Sequence, residues 1–135
     1  MCCSNTKLSF IIKLLKSLYR IKNLIILYND ITNLAKTEYG ALDNKVSVSG
    51  TYKNEIRIYG RLVIVQYCVD FSSGVSNGVP FAQVPEGFRP KENISVPAIL
   101  NRNVALNIRI NTNGDVLQNQ FSSCTNVYID TIYLI

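Results

Sequence analysis

The stretch EIRIYGRLVIVQYCVDF, residues 55–71, decides the fold of this chain. Most of its side chains are β-branched, aliphatic or aromatic, and such side chains suit a pleated, half-buried surface. Tyr59, Gly60 and Arg61 interrupt the run, and a glycine at that point favours a tight turn. The stretch therefore predicts a β-hairpin whose second strand is long and lies deep in a sheet.

Alternation along the second strand separates two different faces. The first face is apolar apart from one phenol and consists of Val63, Val65, Tyr67, Val69 and Phe71. The second face is half polar and consists of Leu62, Ile64, Gln66, Cys68 and Asp70. We expect a second sheet to cover the first face, and solvent or another copy of the protein to meet the second.

Further strand candidates follow at intervals of about ten residues, with turn signals between them. Asn113 and Gly114 predict a type I′ turn, in which both central residues have positive φ. Pro97 points to an edge strand, because proline cannot donate to a ladder of backbone hydrogen bonds. The spacing is typical of an antiparallel β-sandwich of about eight strands, which we assign to residues 45–135.

Residues 1–44 are interpreted as an amphipathic helix over 7–35, followed by a linker. One stripe of apolar side chains has the helical, near-heptad spacing and consists of Ile11, Leu14, Leu18, Ile21, Ile25 and Tyr28. Lys13, Lys16 and Arg20 lie on the opposite face and interrupt the apolar run too often for a membrane span or a secretory signal. Three interpretations remain: a coiled-coil stalk, a basic helix on an anionic membrane, and a helix packed on its own domain.

Charge and composition bear on the class of function. The chain carries +5, of which residues 1–30 contribute +4 (five basic groups and one acidic group), so the remaining residues are close to neutral. We therefore expect no nucleic acid as a partner. The chain has no histidine, which excludes Ser-His and Cys-His pairs within it.

Carboxylates and cysteines show no catalytic or metal-binding pattern. Asp70 and Asp130 are candidates for neighbours on adjacent strands, but solvated positions are the ordinary explanation for such carboxylates. The four cysteines have no CxxC spacing, and Cys68 and Cys124 are expected as small apolar groups within strands. We expect a protein that is not an enzyme and has no cofactor and no metal.

The order of parts from about Val46 onward resembles the C-terminal tip domain of bacteriophage tail-fibre and receptor-binding proteins. A helical stalk ends at ALDNKVSVSG, and the strand pair IRIYG-RLVIVQY follows. A glycine-serine loop then leads to the turn VPEGFRP, an N-x-N-G turn and a final strand. The resemblance implies a trimeric, non-catalytic tip on a coiled-coil stalk, located in the tail of the virion and made in the host cytoplasm without a signal peptide.

The resemblance also implies partners: two further copies of the chain, other phage tail proteins, and a host-surface carbohydrate or protein. Polar loops near aromatic residues are the candidate binding positions, namely Ser73, Asn77, Asn101, Arg102, Asn103, Phe121 and Asn126. Two alternatives stay open. One is a baseplate or tail subunit that binds only other phage proteins, and the other is a peripheral membrane protein that uses the basic helix.

The apolar stripe of the helix leads to an expectation about assembly. We expect a homotrimer in solution, because a stripe of this kind avoids water and a lone domain of about 90 residues buries only about 60–65% of its surface. Light scattering on the full chain measures the mass. A mass equal to one chain would contradict self-association, and a mass of two chains would contradict the fibre interpretation.

Overall fold

A computed structural model describes residues 2–35 and 37–135, with helix side chains described for residues 7–27 and 29. The protein is mainly β, with one helix before the sheet, as predicted. The chain divides into a helical unit and a β unit, Thr37–Ile135.

Helix α1 spans Cys2–Ala35, so the helix predicted over 7–35 is confirmed. Its described side chains are all exposed, including Ile11, Leu14 and Leu18 of the predicted stripe. Tyr28, the last residue of that stripe, has a side chain outside the described part. Within the described residues, no helix combines the length and the apolar character that a membrane crossing requires.

The β unit contains nine strands in one antiparallel sheet. The strands are β1 (Thr37–Gly40), β2 (Asp43–Asn44), β3 (Val48–Tyr59), β4 (Leu62–Ser76), β5 (Ala82–Gln83), β6 (Ile94–Leu100), β7 (Val104–Ile110), β8 (Asp115–Leu117) and β9 (Ser123–Leu134). Their order across the sheet is β1-β3-β4-β9-β6-β7-β8-β5-β2. Residues 37–44, which the sequence assigned to a linker, contain β1 and β2.

The two edge strands, β1 and β2, are separated by only two residues of sequence. A flat sheet of nine strands places its edges about 38 Å apart. The chain from Gly40 to Asp43 spans at most about 11 Å. The sheet must therefore curl until its edges approach each other. Asn54 fixes the connection, because its side-chain amide exchanges two hydrogen bonds, of 2.8 and 2.9 Å, with the backbone of Leu42.

The curl covers the apolar face of β4, and all five residues of the predicted inner face are buried. Phe81, just before β5, lies over them, with ring centroids 6.3 Å from Tyr67 and 5.4 Å from Phe71. The Tyr67 hydroxyl donates a 2.7 Å hydrogen bond to Asn44 Oδ1 on β2. The predicted two-sheet sandwich of about eight strands is not confirmed, because the far end of the same sheet provides the cover.

Two predicted local features differ in the structure. Gly114 alone has positive φ in its turn, with its N–H bonded to the Asn111 carbonyl, so the predicted type I′ turn at Asn113 and Gly114 is wrong. Strand β6 is internal, not an edge strand, but its pairing with β9 covers only residues 98–100, and Pro97 lies outside it. In contrast, the predicted hairpin between β3 and β4 is confirmed, and Gly60 has a φ of 60°.

The position of Phe81 gives a stability prediction. Phe81→Ala should lower the free energy of unfolding by about 3–5 kcal/mol, because truncating a fully buried phenylalanine leaves a cavity. Thermal unfolding at one fixed protein concentration measures the change. Val79→Ala is the control, because Val79 is exposed in the same segment and should change the melting temperature little. Equal effects of the two substitutions would contradict the packing described here.

Candidate functional site

A groove of about 460 Å³ lies on the outer face of the sheet, across β3, β4, β9 and β6. It is lined by Tyr52, Cys68, Val69, Asp70, Ile99, Arg102, Asn126, Val127 and Tyr128. The groove combines exposed aromatic rings with a carboxylate, a guanidinium and an amide. These are the groups that orient a small polar ligand in a binding site.

Strand register brings these residues together. Cys68 on β4 is opposite Tyr128 on β9, and Tyr128 is opposite Ile99 on β6. One step further along the same face, Asp70 is opposite Asn126. Because side chains at alternate positions share a face, all five project to the outside while their neighbours fill the core.

Asp70 is the centre of the polar contacts. The Tyr52 hydroxyl donates a 2.9 Å hydrogen bond to Asp70 Oδ2, and that bond and the carboxylate charge raise the pKa of Tyr52. Arg102 Nη2 lies 3.5 Å from the same oxygen, but this side chain is largely exposed. An exposed ion pair of this length contributes little to stability, so the guanidinium can leave Asp70 for a ligand at little cost.

The turn between β6 and β7 supplies the wall of the groove. Asn101 and Arg102 both have positive φ, of 51° and 67°. Asn126 holds this turn in place, since its Oδ1 accepts a 2.8 Å hydrogen bond from the Arg102 N–H. Asn101 Oδ1 in turn accepts from both the backbone N–H and the hydroxyl of Thr125. These two asparagines position the arginine.

The sequence candidates divide into two sets. Asn101, Arg102 and Asn126 meet at the groove, and two of them line it. The other four candidates are not among the residues that line it: Ser73, Asn77, Asn103 and Phe121. Asn77 donates to the Asn119 carbonyl, and Phe121 is partly buried against the core. Part of the Phe121 side chain therefore belongs to the core.

Sequence reasoning missed the strand residues of the site, among them Tyr52, Ile99 and Tyr128. Tyr52 and Tyr128 keep 69% and 43% of their accessible area, which leaves their rings open to a ligand. Buried and exposed residues alternate along β9 and put Tyr128 on the outer face. Only the pairing of β9 with β4 and β6 shows that it lies beside Cys68 and Ile99.

Two other arrangements lack the features of this groove. Asp70 and Asp130 share the outer face, but Asp130 is opposite Gln66, four residues from Asp70 along β4. That offset of about 13 Å exceeds the spacing of a glycosidase carboxylate pair. A second, shallower groove of about 360 Å³ includes Asn107 and Arg109, and no aromatic residue lines it.

No protein-family model and no curated protein matches this chain.

Cys68 provides a chemical probe of the groove. Its side chain is half-buried, and burial together with the charge of Asp70 raises the pKa of its thiol. Cys124 is fully buried on the inner face, and burial raises the pKa of its thiol. The thiolate is the reactive form, so both thiols should react slowly at neutral pH.

Alkylation followed by mass spectrometry measures these reactivities in a variant with Cys2→Ser and Cys3→Ser. We expect Cys68 to react more slowly than a small free thiol, with a rate that still rises above pH 9.0, the ordinary pKa of the group. Cys124 should react more slowly again. Asp70→Asn removes the charge that raises the pKa of Cys68 and should accelerate Cys68 alone. Rapid alkylation of Cys124 in the native state would contradict the placement on the inner face.

Proposed function

We propose that the β unit is the non-catalytic tip of a bacteriophage tail fibre, and that the outer-face groove binds a saccharide of the host surface. The observation that carries the proposal is the groove itself, where two exposed tyrosines flank a carboxylate and an exposed guanidinium. The resemblance of residues from Val46 onward to receptor-binding tips supports the same assignment.

The position of the groove also supports a tip. The chain enters the sheet at Thr37, which is opposite Tyr59 and therefore next to the turn that joins β3 and β4. Asp70 lies eight residues along β4 from Leu62, which begins that strand. The groove is thus on the order of 25 Å from the point of entry, at the opposite end of the sheet. In the proposed tip, this end of the β unit is the one that meets the host surface.

The chemistry of the groove suits a saccharide. A sugar ring presents polarised C–H groups on its faces, and these fit the negative face of an aromatic ring such as Tyr52 or Tyr128. Its hydroxyls donate hydrogen bonds, and a hydrogen bond to a charged carboxylate such as Asp70 is stronger than one to a neutral acceptor. Arg102 and Asn126 add donors beside them. The groove holds one acid and one base, so it favours a ligand of low net charge.

Affinity at one such site should be modest, since both partners lose bound water on contact. Strong attachment then requires several copies that bind together on a dense surface. The exposed apolar stripe of α1, which includes Ile11, Leu14 and Leu18, is the proposed means of bringing three copies together.

Groove variants test the proposal. Asp70→Asn, Tyr128→Ala and Arg102→Ala should each weaken binding to host cells and to their purified surface polysaccharides. We expect at least about tenfold for Asp70→Asn, because it removes a charged hydrogen-bond acceptor. Arg109→Ala is the matched control for Arg102→Ala, because Arg109 is an exposed arginine outside the groove. Fluorescence titration gives the affinities, and protection of Cys68 from alkylation reports occupancy of the groove directly.

Each result has a defined consequence. If the groove variants bind as well as the parent, the groove is not the binding site. Loss of binding after protease treatment of the cells, but not after periodate oxidation of their sugars, would replace the saccharide by a protein receptor. If the parent binds no cell and no polysaccharide across a panel of bacteria, a virion subunit that binds only phage proteins becomes the better assignment.

A further inference from the structure

The outer face carries a second feature at the end opposite the groove. Leu62 is opposite Leu134, and Ile64 is opposite Ile132, so four aliphatic side chains form two adjacent pairs across β4 and β9. Opposed side chains in such pairs lie about 5 Å apart. Ile132 and Leu134 keep 58% and 66% of their accessible area.

Two tyrosines extend this cluster toward the edge of the sheet. Tyr59 is opposite Leu62, and Tyr39 is opposite Arg57, which is itself opposite Ile64. Tyr39 is exposed and Tyr59 is half-buried. We call these six residues the outer patch: Tyr39, Tyr59, Leu62, Ile64, Ile132 and Leu134. The outer patch crosses four neighbouring strands, about 14 Å in width, and apolar area of this kind marks an interaction site.

Charges of opposite sign accompany the outer patch: Arg57 lies between Tyr39 and Ile64, and Asp130 lies next along β9 from Ile132 on the same face. On β3, Lys53 and Arg57 both pair with Glu55, which leaves one surplus positive charge. On β9, Asp130 is exposed and has a single hydrogen bond, 3.3 Å long, from the Tyr128 hydroxyl. A second copy of the same surface can therefore place its Asp130 against the Arg57 of the first. This complementarity favours another copy of the chain over an anionic membrane, which Asp130 would oppose.

We infer that the outer patch is a contact surface between copies of this chain, with Ile132 and Leu134 at its centre and Arg57 facing Asp130 of the adjoining copy. The rows of Ile64 and Asp70 are six residues apart on β4, or about 20 Å. Asp130 is the contact residue nearest the groove, since it accepts the hydrogen bond of Tyr128, and it is opposite Gln66, about 13 Å along β4 from Asp70. The inference rests on the patch and its charges, and it holds whatever the groove binds.

Sedimentation equilibrium on the full chain tests the inference. The double variant Ile132→Glu, Leu134→Glu should weaken self-association on the order of 100-fold, because it places charge at the centre of an apolar contact. Ala105→Glu with Asn107→Glu is the charge-matched control, since both residues are exposed on β7, outside the outer patch. Circular dichroism and the melting temperature should show that the outward-facing changes leave the fold intact.

A charge exchange tests the pairing of Arg57 with Asp130. Asp130→Lys alone should weaken association, and the combination of Arg57→Glu with Asp130→Lys should restore part of it. If Arg57 and Asp130 do not meet across the contact, adding Arg57→Glu to Asp130→Lys should weaken association further. Such additive loss would overturn the assigned pairing.

The contribution of α1 needs its own comparison. Leu14→Glu with Leu18→Glu disrupts the stripe of the helix and leaves the outer patch unchanged. If this variant abolishes association, while the patch variant associates as the parent does, the inference is wrong. A monomeric parent chain would also overturn it. The affinity of one groove for a single sugar unit should be the same in the patch variant and the parent, so a failure here is distinct from a failure of the proposed function.

Discussion

The structure depends on one requirement: the apolar face of β4 must be covered. The five inward side chains of β4 are too many and too large to face water, and each buried aliphatic contributes about 1.5–3 kcal/mol. The cover comes from the other end of the same sheet, where Phe81 packs on Tyr67 and Phe71. Closure of the sheet goes together with the short link between β1 and β2. It also goes together with the two hydrogen bonds between the Asn54 side chain and the Leu42 backbone.

Burial of the inner face of β4 and β9 decides which residues form the outer face. Since alternate residues of β4 and β9 are committed to the core, the residues between them form an outer surface with its own pattern. That surface is polar and aromatic near Asp70 and apolar near Ile64. Binding and assembly can therefore occupy opposite ends of one face without competing. The same strands that stabilise the core also position the residues of both surfaces, and such preorganisation lowers the entropy cost of binding.

The turn at Asn101 and Arg102 shows how local strain contributes to the site. Positive φ is uncommon for an arginine, and such a residue persists only where its surroundings hold it. Here Asn126 and Thr125 on β9 provide the bonds that hold the turn. The strained backbone occurs at a position where the Arg102 side chain lies beside Asp70. At Asn113 and Gly114, where the sequence favours positive φ at both residues, only the glycine adopts it.

The sequence by itself determined the helix, the β3–β4 hairpin and the inner face of β4, because periodicity and turn chemistry are local properties of the chain. It also placed Asn101 and Arg102 in a loop, whereas Asn126, which was predicted in a loop, lies in β9. Only the tertiary structure decided that one curled sheet covers itself, since strand pairing across distant segments has no local signal. For the same reason the groove, which depends on the register of Cys68, Tyr128 and Ile99, became visible only in the folded chain.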